Sequence, residues 1–230
     1  MFGQQNTVAY TGIQTAADVS VSERLVFLKK VYGLLAASLL SATVGAFLGM
    51  GPLLPIVASM GMLSFVFFIG SFFFLMFAQR KPGLNMVALF SFTTVAGLMI
   101  GPMLYSFVAV GQGGIVVEAL ALTTITFVGL TGYVFVSKKD FSFMAGFLMT
   151  GLIILIVGGL LNVFFFQSPM LRFVFAGAGV LIFSGFILYD TSNILRRYST
   201  DDYVSATVAL FLDVFNLFIH LLSLLGLSRD

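Results

Sequence analysis

From Lys138 to Arg197 the chain reads KKDFSFMAGFLMTGLIILIVGGLLNVFFFQSPMLRFVFAGAGVLIFSGFILYDTSNILRR. A basic pair closes each end, and between them lie two apolar stretches joined by the segment 162–171, which carries no charge. Each stretch is about 20 residues long, enough for a helix to cross a hydrocarbon core about 30 Å thick. The chain therefore crosses, turns and returns, and both basic pairs stand on one side of a membrane. The same punctuation runs back toward the N-terminus, with Arg80 beside Lys81 and Lys29 beside Lys30, while the intervening connections at 49–55 and 108–114 carry no positive charge. By the positive-inside rule the paired loops are cytosolic. The spacing predicts spans near 31–50, 55–78, 84–107, 115–136, 141–163, 171–190 and 204–225. After Arg197 too little chain remains for two crossings, so the count is odd.

Composition agrees. Of 230 residues 60% are hydrophobic and only 9% charged, and the mean hydropathy is +1.11. Eleven Lys and Arg with nine Asp and Glu cannot clothe a soluble core of this size. The expectation is an all-α integral membrane protein of seven transmembrane helices, multi-pass, with a cytosolic N-terminus. The C-terminus lies outside unless the last segment, followed closely by Arg229 and Asp230, is re-entrant. Residues 1–22 read as a polar cytosolic tail without signal-peptide features, and residues 23–230 as one transmembrane domain. The apolar runs are continuous, unlike the alternating strands of an outer-membrane barrel. Gly45 with Gly49, and Gly97 with Gly101, have the spacing that lets helices approach closely. A net charge of +2 with scattered basic pairs excludes a nucleic-acid partner, and the absence of cysteine excludes thiol chemistry.

Four ionisable residues fall inside the predicted spans: Glu118, Asp190, Asp213 and His220. Each costs at least about 2.5 kcal/mol on insertion scales and needs a reason. Glu118 is expected in the first turn of its helix, where it meets outer-side water or favours the helix N-terminus; the sharper alternative is a pore mouth. For His220 the plainer reading is a neutral imidazole hydrogen-bonded to a neighbouring helix, with an ion-pathway role as the alternative. Asp190 and Asp213 stand on antiparallel helices joined by a short turn. At 1.5 Å rise per residue they lie about 10 Å and about 16 Å above that turn, close enough in depth to meet. No Lys or Arg lies at that depth in any other span. Two such carboxylates either share a proton or hold a cation. Asn193 and Asn216, each three residues from an Asp, put amide oxygens on the same faces, which makes calcium bound by Asp190 and Asp213 a candidate with an incomplete shell. The plain alternative is a proton-shared pair that only fixes helix packing.

LYDTSNILRRY at 188–198 followed by DDYVSATVALFLDVFNLFIHLLSLLG at 201–226 resembles the C-terminal signature of the Bax inhibitor-1 family. GLMIGPML at 97–104, EALALTTITF at 118–127 and SKKDFSFMAGFLMTGLIILI at 137–156 agree, the last resembling bacterial members. The resemblance implies a central C-terminal helix surrounded by the other six. It also implies a pH-sensitive calcium leak in which an acid pair, matched here by Asp190 and Asp213, closes the pore while bridged by a proton. Bacterial likeness implies the cytoplasmic (inner) membrane, and family members restrain cell death or stress responses. In some relatives an arginine in the second span partners the acids, whereas 55–78 here contains no basic residue.

Three functions of different kinds follow. The first is a proton-regulated calcium leak channel gated by Asp190 and Asp213, needing no cofactor, with calcium as the transported ion. The second is a non-conducting regulatory protein that binds membrane-protein partners, with the tail as its docking segment. The third, an intramembrane aspartyl protease, is disfavoured because Leu210, Phe211 and Leu212 stand where such enzymes carry a Gly-x-Gly turn ahead of the second Asp. One histidine cannot build a usual zinc site, and no phosphate-binding Gly-rich loop is present, so the chain is expected not to be an enzyme.

Overall fold

The computed structural model describes residues 15–229; residues 1–14 of the expected tail, and Asp230, lie outside the described residues. The described chain is helical, in the order α1 (Val21–Met50), α2 (Leu54–Met60), α3 (Met62–Ala78), α4 (Leu84–Ala109), α5 (Gly113–Ser137), α6 (Ala145–Leu161), α7 (Pro169–Arg196) and α8 (Tyr203–Leu227). A short 3-10 turn, Ser142–Met144, leads into α6, and a π turn, Asn162–Phe166, ends it. Among the described residues six helices are long and apolar enough to cross a membrane, or seven where α2 and α3 are counted as one bent span.

The run 55–78, expected as one span, is bent: the chain turns by 96° between α2 and α3. Gly61 makes the turn at φ +50°, a left-handed conformation that residues with a side chain adopt at a cost. Helix α1 also begins ten residues earlier than the predicted span. Ser20 caps it, its hydroxyl accepting from the Glu23 N–H while the Glu23 carboxylate accepts from the Ser20 N–H, and the first turns carry the charges of Glu23, Arg24, Lys29 and Lys30.

The most extensive contact is between α1 and α4. Gly45 sits against the Thr94 and Leu98 backbone and Gly49 against Gly101, and a methyl carbon at Gly97 would overlap the Ala42 carbonyl and stand 2.9 Å from the Ala42 Cα. Ser41 and Thr94 hydroxyls bond across the same seam at 2.6 Å. The expected close approach of these glycines is therefore real. Helix α8 packs on α1, α4, α5 and α7, and α6 rests on α7. A cluster of tilted and edge-on rings, Phe68, Phe72, Phe92 and Phe211, fills the core toward the end that carries the basic pairs. Large apolar side chains line the outside, as lipid exposure demands: Phe143, Phe165 and Leu181 are all about three-quarters exposed or more.

At the end that carries the basic pairs, the α7–α8 turn is strapped from several sides. Thr15 bridges Ser199, the Ala16 N–H donates to the Tyr198 carbonyl at 2.9 Å, and Ala16 is fully buried. Arg24 donates to the Leu195 carbonyl at 2.8 Å, Arg196 to the Lys138 carbonyl, and Arg197 pairs with Asp140 at 3.1 Å. These ties fix the last turn of α7, one turn beyond Asp190.

Candidate functional site

Asp190 stands in the last two turns of α7 and Asp213 near the middle of α8. The antiparallel packing of these helices brings the two carboxyl groups against each other. Asp213 is only 4% exposed, and its Oδ2 has no hydrogen-bond partner among the described residues. Asp190 is partly buried and also meets the Asn193 side chain, whose own Oδ1 is otherwise unpartnered. The Asn193 carbonyl accepts from the Arg197 N–H at 2.7 Å and the Tyr198 N–H at 3.1 Å, which anchors this residue to the strapped turn.

Among the described residues no Lys or Arg forms an ion pair with these carboxyls. Among the described residues the side-chain ion pairs are Arg197 with Asp140 and Arg229 with Glu118, both exposed and both away from it. Two carboxylates in an apolar interior without a counter-ion cannot both carry charge cheaply, so a shared proton is the arrangement the surroundings favour. Just below, Tyr198 feels their field: burial pushes its hydroxyl pKa up, and the charges of Asp190 and Asp213 push further in the same direction. Tyr32, Ser38, Thr131 and Thr191 carry buried hydroxyls without hydrogen-bond partners among the described residues. These hydroxyls were not singled out from sequence, where isolated hydroxyls in apolar helices carry no signal of their own.

The pair forms one wall of a cleft of about 480 Å³ between α6, α7 and α8. Asn216 and His220 continue the polar wall along α8, one and two turns beyond Asp213. Phe183 and Phe186 of α7, with Leu152, Leu155 and Ile156 of α6, make the rest apolar. The spacing Phe183, Phe186, Asp190 on α7 is a helical face that the sequence displays plainly, although it was not read as such.

The other predicted residues behave differently. His220 makes no hydrogen bond among the described residues. It stacks on Phe183 with centroids 5.4 Å apart and fills the space beside Gly179, where a Cβ would collide with the ring, so the expected interhelical bond is replaced by packing. Asn216 donates to its own helix at the Leu212 carbonyl, 2.7 Å away, which leaves its amide oxygen for the cleft. Glu118 lies in the second turn of α5 rather than the first and is gripped by Arg229 through both oxygens, at 2.7 and 2.9 Å, away from the acid pair. Among the described residues no three His, Cys, Asp or Glu side chains converge as metal ligands.

This geometry defines a multi-pass helical membrane protein with a buried, uncompensated acid pair. Comparison with known proteins places it further. The family described as "Inhibitor of apoptosis-promoting Bax1" matches residues 24–230. The chain is 42% identical over 208 residues to an uncharacterized membrane protein of Vibrio cholerae, covering 88% of this chain and 90% of that one. It is 37% identical over 214 residues to protein lifeguard 4 of Mus musculus (91% and 88%), and 36% identical over 220 residues to the Golgi anti-apoptotic protein of vaccinia virus (94% and 91%). The chain belongs to the Bax inhibitor-1 family.

Proposed function

We propose that this protein is a pH-sensitive calcium leak, gated by the protonation of Asp190 and Asp213. The observation that carries the reading is the contact of two carboxyl groups, one buried with an unpartnered oxygen, with no cation in reach among the described residues. With one proton between them the pair ties α7 to α8 and the path is shut. Loss of that proton sets two like charges side by side in low dielectric, which drives the helices apart. The separated carboxylates, with the amide oxygens of Asn193 and Asn216, then offer hard oxygen donors to a passing calcium ion, which is cargo rather than a resident cofactor. Glu118 and His220 lie toward the opposite end, where an ion path would continue.

In this reading the bent α2–α3 pair counts as one span. Seven spans then surround or include α8 as the central helix, the basic-pair face and the N-terminus are cytosolic, and the protein resides in the cytoplasmic (inner) membrane without enzymatic activity. Calcium entry into indicator-loaded liposomes that hold the purified protein tests the proposal. Entry rises from about pH 6 to about pH 8 in the natural chain and loses its pH dependence when both aspartates become Asn.

The vaccinia relative's name, an anti-apoptotic protein, favours a second reading: a non-conducting regulator that acts by binding membrane proteins. Absence of flux at every pH, with a partner co-purifying from native membrane, would support it.

A further inference from the structure

The cleft beside the acid pair is not shaped for a hydrated ion alone. Carboxyl, amide and imidazole groups of α7 and α8 share it with the rings of Phe183 and Phe186 on α7, and α6 lines it with aliphatic side chains. Its mouth reaches the lipid-facing surface at Ile156, which is 54% exposed and lies within the last turns of α6, inside the apolar run Ser142–Phe166. A molecule dissolved in the bilayer therefore reaches the acid pair sideways, without passing through water.

We propose that this cleft is a binding site for a membrane-dissolved amphiphile bearing one protonated amine, whose ammonium pairs with Asp190 and Asp213 and whose alkyl chain lies along Leu152, Leu155 and Ile156. Charge selects the class. A carboxyl pair with no Lys or Arg partner among the described residues attracts a single cation and repels the head group of a fatty acid. Asp213 is only 4% exposed, and its buried Oδ2 has no partner among the described residues, so an N–H donor entering from the cleft satisfies it. An ammonium supplies three such donors and reaches both residues. Phe183 and Phe186 line the same cleft, where aromatic rings favour a cation over an anion. The cleft volume of about 480 Å³ falls among those of sites for small ligands, roughly 300–1,000 Å³.

The test uses the full chain in nanodiscs of phosphatidylcholine, titrated with dodecylamine, dodecanol and dodecanoate while unfolding temperature and binding heat are followed. Dodecylamine raises the unfolding temperature saturably, and the neutral and anionic analogues produce only the small shift common to all amphiphiles. Asn at both positions 190 and 213 weakens dodecylamine at least tenfold. Ala209→Phe, which fills the cleft and leaves both carboxyls in place, weakens it as well and keeps the test alive if the Asn variant fails to fold. Equal shifts by dodecanol and dodecylamine, or an undiminished response in the foldable variants, overturn the inference. It stands apart from the leak: saturable amine binding without calcium flux would retain this site and remove the channel reading.

Discussion

Gly97→Ala adds one methyl group at the tightest glycine-lined helix crossing among the described residues. The new carbon falls on the Ala42 carbonyl of α1, and the obstacle is backbone, so no rotamer change relieves it. Helices α1 and α4 must part, which stretches the Ser41–Thr94 bond of 2.6 Å and loosens the contacts of Gly101, where an added carbon would lie 2.8 Å from the Met50 nitrogen. Overpacking of this kind costs about 1–3 kcal/mol, and here the rigid obstacle puts it at the upper end. Helix propensity acts the other way, favouring Ala over Gly by roughly 0.8–1 kcal/mol. The net expectation is a loss of about 2 kcal/mol. Gly129 and Gly132 of α5 have nothing within 4 Å of a built Cβ, so the same substitution there shows only the propensity gain. Thermal or denaturant unfolding in one detergent, read by helical circular dichroism, compares the three variants. Pairing Gly97→Ala with Gly45→Ala costs less than the two singly, because the seam opens once. If Gly97→Ala proves as stable as Gly129→Ala, the close crossing is not there and the argument fails.

Asn162, buried at the end of α6, accepts from the Ser168 N–H at 3.0 Å and donates to the Ser168 carbonyl at 3.2 Å, so Asn162→Ala costs about 1–3 kcal/mol in the same unfolding assay. Glu118→Gln breaks a bridge whose side chains are both 47% exposed, and its stability loss stays within about 0–1 kcal/mol and shrinks in high salt. The backbone N–H of Ser142, then its hydroxyl and Arg197, hold the exposed Asp140 carboxyl below its ordinary pKa of 3.8. A depressed carboxylate stabilises the fold above that ordinary value and loses its contribution as pH falls through the lower folded one. The unfolding temperatures of the natural chain and Asp140→Asn therefore differ at pH 7 and converge below about pH 4, measured in acid-tolerant detergent.

Much of the architecture was legible because membranes impose long apolar runs and charged punctuation. The basic pairs at 29–30, 80–81, 138–139 and 196–197 mark helix ends or the turns beside them, except Lys29 and Lys30, which sit inside α1. There hydropathy misplaced the start by ten residues, because a helix continues into water without changing its hydrogen bonds; the Ser20 to Glu23 capping box was the available signal. The break at Gly61 was hidden for the opposite reason, since a backbone turn inside an apolar run leaves hydropathy unchanged. Asp190 and Asp213 stood out because charge in a membrane is expensive. The Glu118–Arg229 grip, spanning 111 positions, has no local pattern to betray it. His220 was read as a hydrogen-bonding group when its ring, cradled by Gly179 and Phe183, is held by shape.

The central claim is that the acid pair sets the pH response of a calcium path. Purified protein in liposomes loaded with a calcium indicator, compared with Asp213→Asn across pH 6 to 8, measures it. Influx climbs with pH in the natural chain and stays flat in the variant. A variant that conducts with the same pH profile, or a natural chain that passes no more calcium than empty liposomes, contradicts it.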